Sequence, residues 1–219
     1  MMGEGSSVEI NRDGGSRRNG IGCRVPARLK VGSGKGMATT QQRLRDLATQ
    51  EEALLERVRE LMAGTGRKPM SWQEQRLAEN GVFAEYGIVH REYVELALAG
   101  DLEALKRALF LQWFEVAEPS CFTGIRNLDT QARLDVFVHL ERECAAKSLD
   151  PELEWMLPYY YAIAEYYMPL DGSFPALTAF CEEHYPHGEV PLPTGDVFRG
   201  RGQMGHYWEN IRSSQSRWR

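Results

Sequence analysis

The sequence predicts an all-α protein, a compact multi-helix bundle built of antiparallel helical hairpins. Apolar residues recur at three- and four-residue spacings over most of residues 40–185, and many of these stretches lie between capping residues and Gly or Pro. No segment alternates apolar and polar residues between hairpin turns, which is the pattern of half-buried strands. Short connections, as at Gly100-Asp101, favour antiparallel neighbours.

Three helices are predicted in the first part of the domain. The first covers residues 40–63, where apolar residues follow one helical face: Leu44, Leu47, Leu54, Val58 and Leu61. Ser71 and Glu74 have the spacing of a capping box and predict a short helix that ends at Asn80. Apolar periodicity predicts a third helix over residues 82–99.

The next helix, over residues 102–118, is predicted to lie at the centre of the bundle. It is apolar on nearly every side, Asp101 is placed to cap it, and Pro119 closes it. Residues 120–128 are predicted to form the loop that follows.

Aspartates also mark the starts of the two helices after that loop. Asp129 is predicted to cap a helix that runs to residue 147, and Asp150, followed by Pro, a helix that runs to residue 167. Pro158 is expected to bend or break this second helix, because proline lacks a backbone donor and clashes with the preceding turn. A last core helix is predicted to open at Ser173.

Composition divides the chain into three regions. Residues 1–36 are rich in Gly, Ser and Arg and are predicted to be a disordered N-terminal extension, with Met37 as a candidate start. Residues 37–185 form the predicted helical domain. Residues 186–219 turn to Pro, Gly and Arg and are predicted to be an irregular tail with one short candidate helix near residues 207–211.

Charge and hydropathy exclude several functional classes. The net charge of −5 divides into +4 for residues 1–36 and −9 for residues 37–219. An acidic body argues against a nucleic-acid partner, since a duplex-binding surface needs a basic stripe. No apolar run approaches the roughly 18 residues of a membrane span, so no membrane contact is expected. Four dispersed cysteines without a CxxC pair favour the cytoplasm.

Three glutamates are expected to face the interior. At about 100° per residue, Glu115 and Glu141 fall beside apolar neighbours, and Glu165 lies in a stretch with few polar directions. A buried carboxylate must be paired, protonated or bound to a cation. These residues therefore predict either a metal or acid–base site between helices, or bonds to Tyr, Trp or Arg. No Glu-x-x-His pair of the di-iron type is present, so no metal ligand and no cofactor is assigned.

Aromatic residues are concentrated on two predicted helices. Trp113 lies on one, Trp155 and Tyr160 lie on the other, and five of the nine tyrosines fall between residues 159 and 167. Because consecutive residues spread around a helix, some of these rings are expected to be exposed, where Tyr and Trp favour contact with a partner. A fully packed aromatic core is the alternative.

Together these patterns predict a cytoplasmic, non-enzymatic binding or regulatory protein. Its acidic, aromatic-rich surface is expected to engage a protein partner, and the charge favours a basic one, as in inhibitor- or immunity-like proteins. The residues predicted to bind the partner or a ligand are Trp113, Glu115, Glu141, Trp155, Tyr160 and Glu165. A homodimer through the leucine seam of residues 40–63 is a further expectation. A metal- or carboxylate-dependent enzyme with its site between helices is the alternative, and no catalytic residue is assigned.

Overall fold

The computed structural model describes residues 35–167, 172–185, 192–193 and 195–216, with side chains from Thr39 to Ser214 within these ranges. Within them the chain forms α-helices and one 3₁₀ turn and no strand, which confirms the all-α prediction. The helices are α1 Lys35–Met62, α2 Met70–Glu79, α3 Val82–Leu98, α4 Leu102–Ala117, α5 Ser120–Thr123, α6 Thr130–Ala146, α7 Pro151–Ile163, α8 Pro175–Glu183 and α9 Gly202–Ser216; the 3₁₀ turn is Glu165–Tyr167. The predictions made for residues 1–34 lie outside the described residues. No described helix is long and apolar enough to cross a membrane.

The apolar seam of α1 faces the interior of its own chain. Leu44, Leu47, Leu54 and Val58 are all at most 3% exposed, because α3, α5 and α9 pack against this helix. At the start of the seam, Arg43 reaches across to α3 and pairs with Glu92 at 3.3 Å. The seam is therefore no free surface for the homodimer that its spacing suggested.

The start of α2 differs from the predicted capping box. The helix begins at Met70 with Pro69 in the N-cap position, and no side chain caps it. Glu74 instead accepts a hydrogen bond from the Ser120 hydroxyl at 2.8 Å and pairs with Arg126. The Glu74 carboxylate, which the spacing predicted would bind the backbone N–H of residue 71, therefore binds a distant hydroxyl and a guanidinium instead.

Helix α4 lies at the centre of the bundle, as predicted, and packs against α3, α5, α6, α7 and α9. The Asp101 carboxylate accepts from the Ala104 N–H at 2.8 Å and caps α4. Leu105 and Leu109 of α4 are completely buried, and so is Tyr93 of α3. The charged Arg107 is also only 6% exposed, so this central helix carries buried charge as well as apolar surface.

The predicted loop over residues 120–128 contains a single helical turn, α5, which ends at Gly124. Gly124 has a left-handed φ of +73°, and a Cβ there would lie 2.6 Å from Val58 Cγ2 and 2.9 Å from the Tyr86 ring. Both the backbone conformation and the close packing against α1 and α3 therefore require glycine.

Replacing Gly124 with Ala is expected to lower the free energy of unfolding by about 3 kcal/mol, since left-handed strain and overlap with Val58 and Tyr86 act together. Gly64 is a matched control, because its φ is +72° and its Cβ would meet nothing within 4 Å. Gly64→Ala should cost only about 1 kcal/mol. Urea unfolding of both variants measures the difference, and equal losses would contradict the packing argument.

The two predicted aspartate caps are confirmed. Of the two outcomes expected at Pro158, a bend or a break, the break is wrong. Asp129 accepts from the Ala132 N–H at 2.8 Å, and Asp150 accepts from the Glu152 N–H at 2.9 Å. Helix α7 runs through Pro158 and ends at Ile163. The carbonyl that Pro158 leaves without a donor belongs to the exposed Glu154, so solvent can satisfy it.

The C-terminal region is more regular than predicted. The short candidate helix near residues 207–211 is part of the 15-residue helix α9, which packs on α1 and α4 and buries Met204 and Trp208. At its start, a Cβ on Gly202 would overlap the Glu51 carboxylate, so glycine permits the close approach of α9 to α1. Glycines that resembled an irregular tail in the sequence are thus places of tight helix packing.

Candidate functional site

The three glutamates predicted to face inward do not meet. Glu115 accepts from the Leu128 N–H at 3.1 Å and pairs with Arg133 at 3.4 Å. Glu141 accepts the N–H groups of Ala176 and Leu177 at 3.0 and 2.8 Å and so caps α8 from a neighbouring helix.

Glu165, the third predicted carboxylate, is exposed in the 3₁₀ turn rather than interior. The described residues hold no group of three or more His, Cys, Asp or Glu side chains placed for a metal. The trio therefore provides a loop contact, a helix cap and surface charge instead of one converging site.

The structure separates the predicted aromatic residues into core and surface. Trp113 and Tyr160 are at most 1% exposed, their rings stack at 4.4 Å, and the Trp113 indole donates to the Tyr160 carbonyl at 3.1 Å. Trp155 is half-buried, with its ring 4.8 Å from that of Trp208 on α9. A partner cannot contact Trp113 or Tyr160 in this conformation, so the expectation that they lie on a binding surface is wrong.

Other aromatic and apolar side chains are exposed where α7 and α8 end. Tyr166 is 71% exposed, Ile163 47% and Tyr185 42%. The buried Tyr161 joins the two helix ends, since its ring lies 6.3 Å from that of Tyr185. We call this region the tyrosine surface and define it by Ile163, Glu165, Tyr166, Glu182 and Tyr185.

The tyrosine surface is also acidic. Glu165 and Glu182 are both exposed, and both lie close enough to Tyr161 to act on its phenol. Burial, together with these two carboxylates, raises the pKa of Tyr161 above its ordinary value. Negative charge and exposed rings therefore share one region.

Tyr166 is exposed but held in place. Its hydroxyl donates to the carbonyl of Val116 at 3.1 Å, near the end of α4. A hydrogen bond at the tip of the ring restricts its two side-chain torsions while the ring remains in contact with solvent. Such a ring presents apolar area to a partner with little further loss of conformational freedom.

A buried carboxylate that the sequence analysis missed lies on α1. Glu51 is 1% exposed and accepts hydrogen bonds from the Tyr93 hydroxyl at 2.5 Å and from the Gln203 N–H at 3.1 Å. Burial raises the pKa of Glu51 to about 7, although Tyr93 and Arg107 oppose this shift. The signal was present, because Glu51 lies four residues after Leu47 and three before Leu54, in the apolar seam itself.

A second charged cluster lies beside Glu51 and ties the C-terminal segment to α4 and α7. Arg201 binds Glu103 at 2.7 and 2.6 Å and Glu152 at 2.5 and 3.1 Å. Lys106 adds contacts to Glu152 at 2.7 Å and to Asp150 at 3.4 Å. Burial alone would raise the pKa of Glu152, but Arg201 and Lys106 hold it below its ordinary value.

A cleft of about 600 Å³ opens over this charged cluster. It is lined by Trp155, Val197 and two prolines, and by the charged residues Glu103, Arg107, Glu152 and Arg201. Each of these charges already has an opposite partner within the cluster. A ligand would have to break buried ion pairs to reach a free charge, whereas the tyrosine surface offers its carboxylates directly.

Comparison with protein-family models, with curated proteins and with solved structures finds no match to this chain. Its function therefore has to be inferred from the side chains themselves. Among the described residues, the tyrosine surface combines a largely exposed ring with carboxylates that form no ion pair.

Proposed function

We propose that the chain is a cytoplasmic, non-enzymatic binding or regulatory protein that engages a basic protein partner through the tyrosine surface. The class of function is the one that charge and composition predicted. The surface differs, since Tyr166, Tyr185 and Ile163 take the place of Trp113 and Tyr160. Of the residues predicted from sequence, Glu165 remains part of it.

The observation that carries this proposal is the exposure of an already ordered ring. Tyr166 is 71% exposed while its hydroxyl is bonded to the Val116 carbonyl. Ordering a free side chain at an interface costs about 0.5–1.5 kcal/mol, and most of that cost is already met within the folded chain. Ile163 supplies apolar area in the same turn of chain, which supports a surface intended for burial.

The carboxylates favour a basic partner. Glu165 and Glu182 lie on an acidic body whose residues 37–219 carry a net charge of −9. Charge of one sign over a surface accelerates the approach of an oppositely charged protein and rejects like-charged ones. Binding should consequently weaken as salt is added, because screening acts within about 8 Å at physiological ionic strength.

Site-specific photo-crosslinking tests the proposal. A benzophenone amino acid at position 166 is expected to yield a discrete adduct with a basic protein, identified by mass spectrometry. The matched control is position 122, because Phe122 is 67% exposed and lies on α5, which carries no residue of the tyrosine surface. Identical adducts from both positions, or a protein that meets position 166 through an acidic surface, would contradict the proposal.

Charge reversal provides the second arm of this experiment. Glu165→Lys combined with Glu182→Lys is expected to reduce affinity for the captured partner about tenfold or more, because like charges then meet. Glu56→Lys combined with Glu60→Lys changes the net charge equally on the exposed face of α1 and should retain binding. Equal losses in both pairs would assign the effect to net charge instead of to the tyrosine surface.

A small-molecule site or enzyme centre in the cleft beside Arg201 is the second candidate. The cleft volume of about 600 Å³ is typical of ligand sites, and its Glu103 and Glu152 are carboxylates between helices. Thermal melts with a metabolite library test this candidate. A compound that stabilises the wild type and not Trp155→Ala would favour it, and its binding should not depend on Tyr166.

A further inference from the structure

A second aromatic surface, of opposite charge, lies on α2. Trp72 is 36% exposed, and the Lys68 ammonium and the Arg76 guanidinium each lie 5.5 Å from the centre of its ring. Arg67 precedes Lys68 and is exposed. We call Arg67, Lys68, Trp72 and Arg76 the tryptophan surface.

The cations of the tryptophan surface lack carboxylate partners among the described residues. Arg67, Lys68 and Arg76 form no ion pair there, although Arg57 and Arg59 on the neighbouring helix pair with Glu85 and Glu56. Positive charge thus collects around an exposed ring in a protein whose body is acidic. This arrangement favours an acidic partner that carries an apolar side chain.

A groove beside Trp72 has room for such a side chain. It measures about 540 Å³ and is lined by Leu61, Trp72 and Arg76 together with polar residues of α2. Arg76 and Glu79 are the two charged residues of its lining, and the Glu79 carboxylate also accepts a hydrogen bond from Gln75 at 2.8 Å. The excess positive charge therefore comes from Arg67 and Lys68, which precede α2 and do not line the groove.

We infer that the tryptophan surface of one copy of this chain binds the tyrosine surface of a second copy. The inference rests on the proposed role of the tyrosine surface as a site for positive charge, which the tryptophan surface supplies locally although the chain as a whole carries a net charge of −5. The three cations of the tryptophan surface are complementary to the two exposed carboxylates of the tyrosine surface, those of Glu165 and Glu182. Ile163 and Tyr166 supply the apolar side chains that the groove beside Trp72 accepts.

The two surfaces belong to different parts of the bundle, so the contact joins separate molecules. Helix α2 packs against α1, α3 and α5, whereas α7 and α8 pack against each other and against α4 and α6. Nucleic acid is the weaker candidate for the tryptophan surface, because three cations on an acidic body do not form the basic stripe that a phosphate backbone requires.

Association between unlike surfaces has a distinctive consequence. Each bound copy keeps one unused surface of the other kind, so the interaction is heterologous and continues into open chains unless its rotation closes a ring. The mass of the wild-type protein should therefore rise with concentration beyond that of a dimer, and it should fall again at high salt.

Sedimentation of two variants, alone and mixed, tests the inference. Lys68→Glu/Arg76→Glu reverses the charge of the tryptophan surface, and Glu165→Gln/Glu182→Gln neutralises the tyrosine surface, so the two altered surfaces do not attract each other. Each variant alone is expected to be monomeric up to about 0.5 mM, and their equimolar mixture to form one-to-one dimers that grow no further. Only a contact between unlike surfaces yields this pattern, because each variant retains one intact half.

Two further variants control for net charge and for folding. Arg91→Glu/Arg142→Glu makes the same charge change at exposed positions and should associate as the wild type does. Arg67→Glu/Arg76→Glu is the second variant of the tryptophan surface, should the first fail to fold by circular dichroism. A wild type that stays monomeric at low salt, or a mixture that stays monomeric, overturns the inference.

The crosslinking experiment distinguishes this failure from failure of the proposed function. A foreign basic protein captured at position 166 by a monomeric wild type would leave the tyrosine surface as a binding site and remove self-association alone. Absence of any adduct at position 166 together with a monomeric wild type would remove both.

Discussion

Replacement of Arg201 with Gln is expected to lower the free energy of unfolding by about 3 kcal/mol, near the lower end of the range for breaking a buried ion pair. The Arg201 side chain is 9% exposed and binds both Glu103 and Glu152. Its loss leaves two poorly hydrated carboxylates. Each of them keeps one cation, since Lys106 lies 2.7 Å from Glu152 and Arg107 lies 2.8 Å from Glu103, and this limits the loss.

Urea unfolding at pH 7 measures this effect, with Arg199→Gln as the control. Arg199 is exposed two positions away, so its replacement should change stability by no more than about 0.5 kcal/mol. Adding Glu152→Gln to Arg201→Gln should recover part of the lost free energy of unfolding. The double variant has one unpaired carboxylate fewer, and Lys106 still pairs with Asp150. A further loss in the double variant would show that packing, and not unpaired charge, explains the effect.

The free energy of unfolding of the wild type is expected to fall by about 3 kcal/mol between acid and mildly alkaline pH, and replacing Glu51 with Gln should abolish this fall. The pKa of Glu51 is raised from an ordinary 4.5 to about 7 in the folded protein. The folded state therefore holds this proton more tightly than the unfolded state does. Its contribution to stability is complete below pH 4.5 and is lost as pH rises through 7.

The free energy of unfolding at pH 5 and pH 8 tests this expectation. In Glu51→Gln the side-chain amide is neutral at both values and can still accept from the Tyr93 hydroxyl or from the Gln203 N–H, so the stability of this variant should vary less with pH. Glu52→Gln is the control, because Glu52 is adjacent and exposed and its replacement should leave the wild-type pH dependence unchanged. The same pH dependence in Glu51→Gln and the wild type would contradict the role of Glu51.

The candidate site could be predicted in kind but not in its residues. Composition showed an excess of tyrosine near the end of α7, and consecutive positions on a helix had to point in different directions. Which rings reach solvent depends on where the helix stops. It stops at Ile163 instead of at residue 167, so the following 3₁₀ turn carries Tyr166 outward, whereas Tyr160 lies in the core.

For Glu51, burial could be predicted from the sequence but the hydrogen-bond partner could not. Its position in the α1 seam was visible in the spacing of the leucines, and that spacing predicts burial. Its partner was not visible, because the Gln203 N–H belongs to a residue 152 positions away in a segment that resembled an irregular tail. No local pattern connects two such residues.

Local patterns in the chain were enough to establish the helical architecture and the starts of α4, α6 and α7. Apolar periodicity and the caps at Asp101, Asp129 and Asp150 act within a few residues, so they operate before any distant contact forms. Packing between distant segments was needed to establish that α9 completes the core, that Glu51 and Arg201 are buried, and that Tyr166 is exposed. Burial and pairing are properties of surfaces that come together from far apart in the chain, and their free energy does not exist until those surfaces meet.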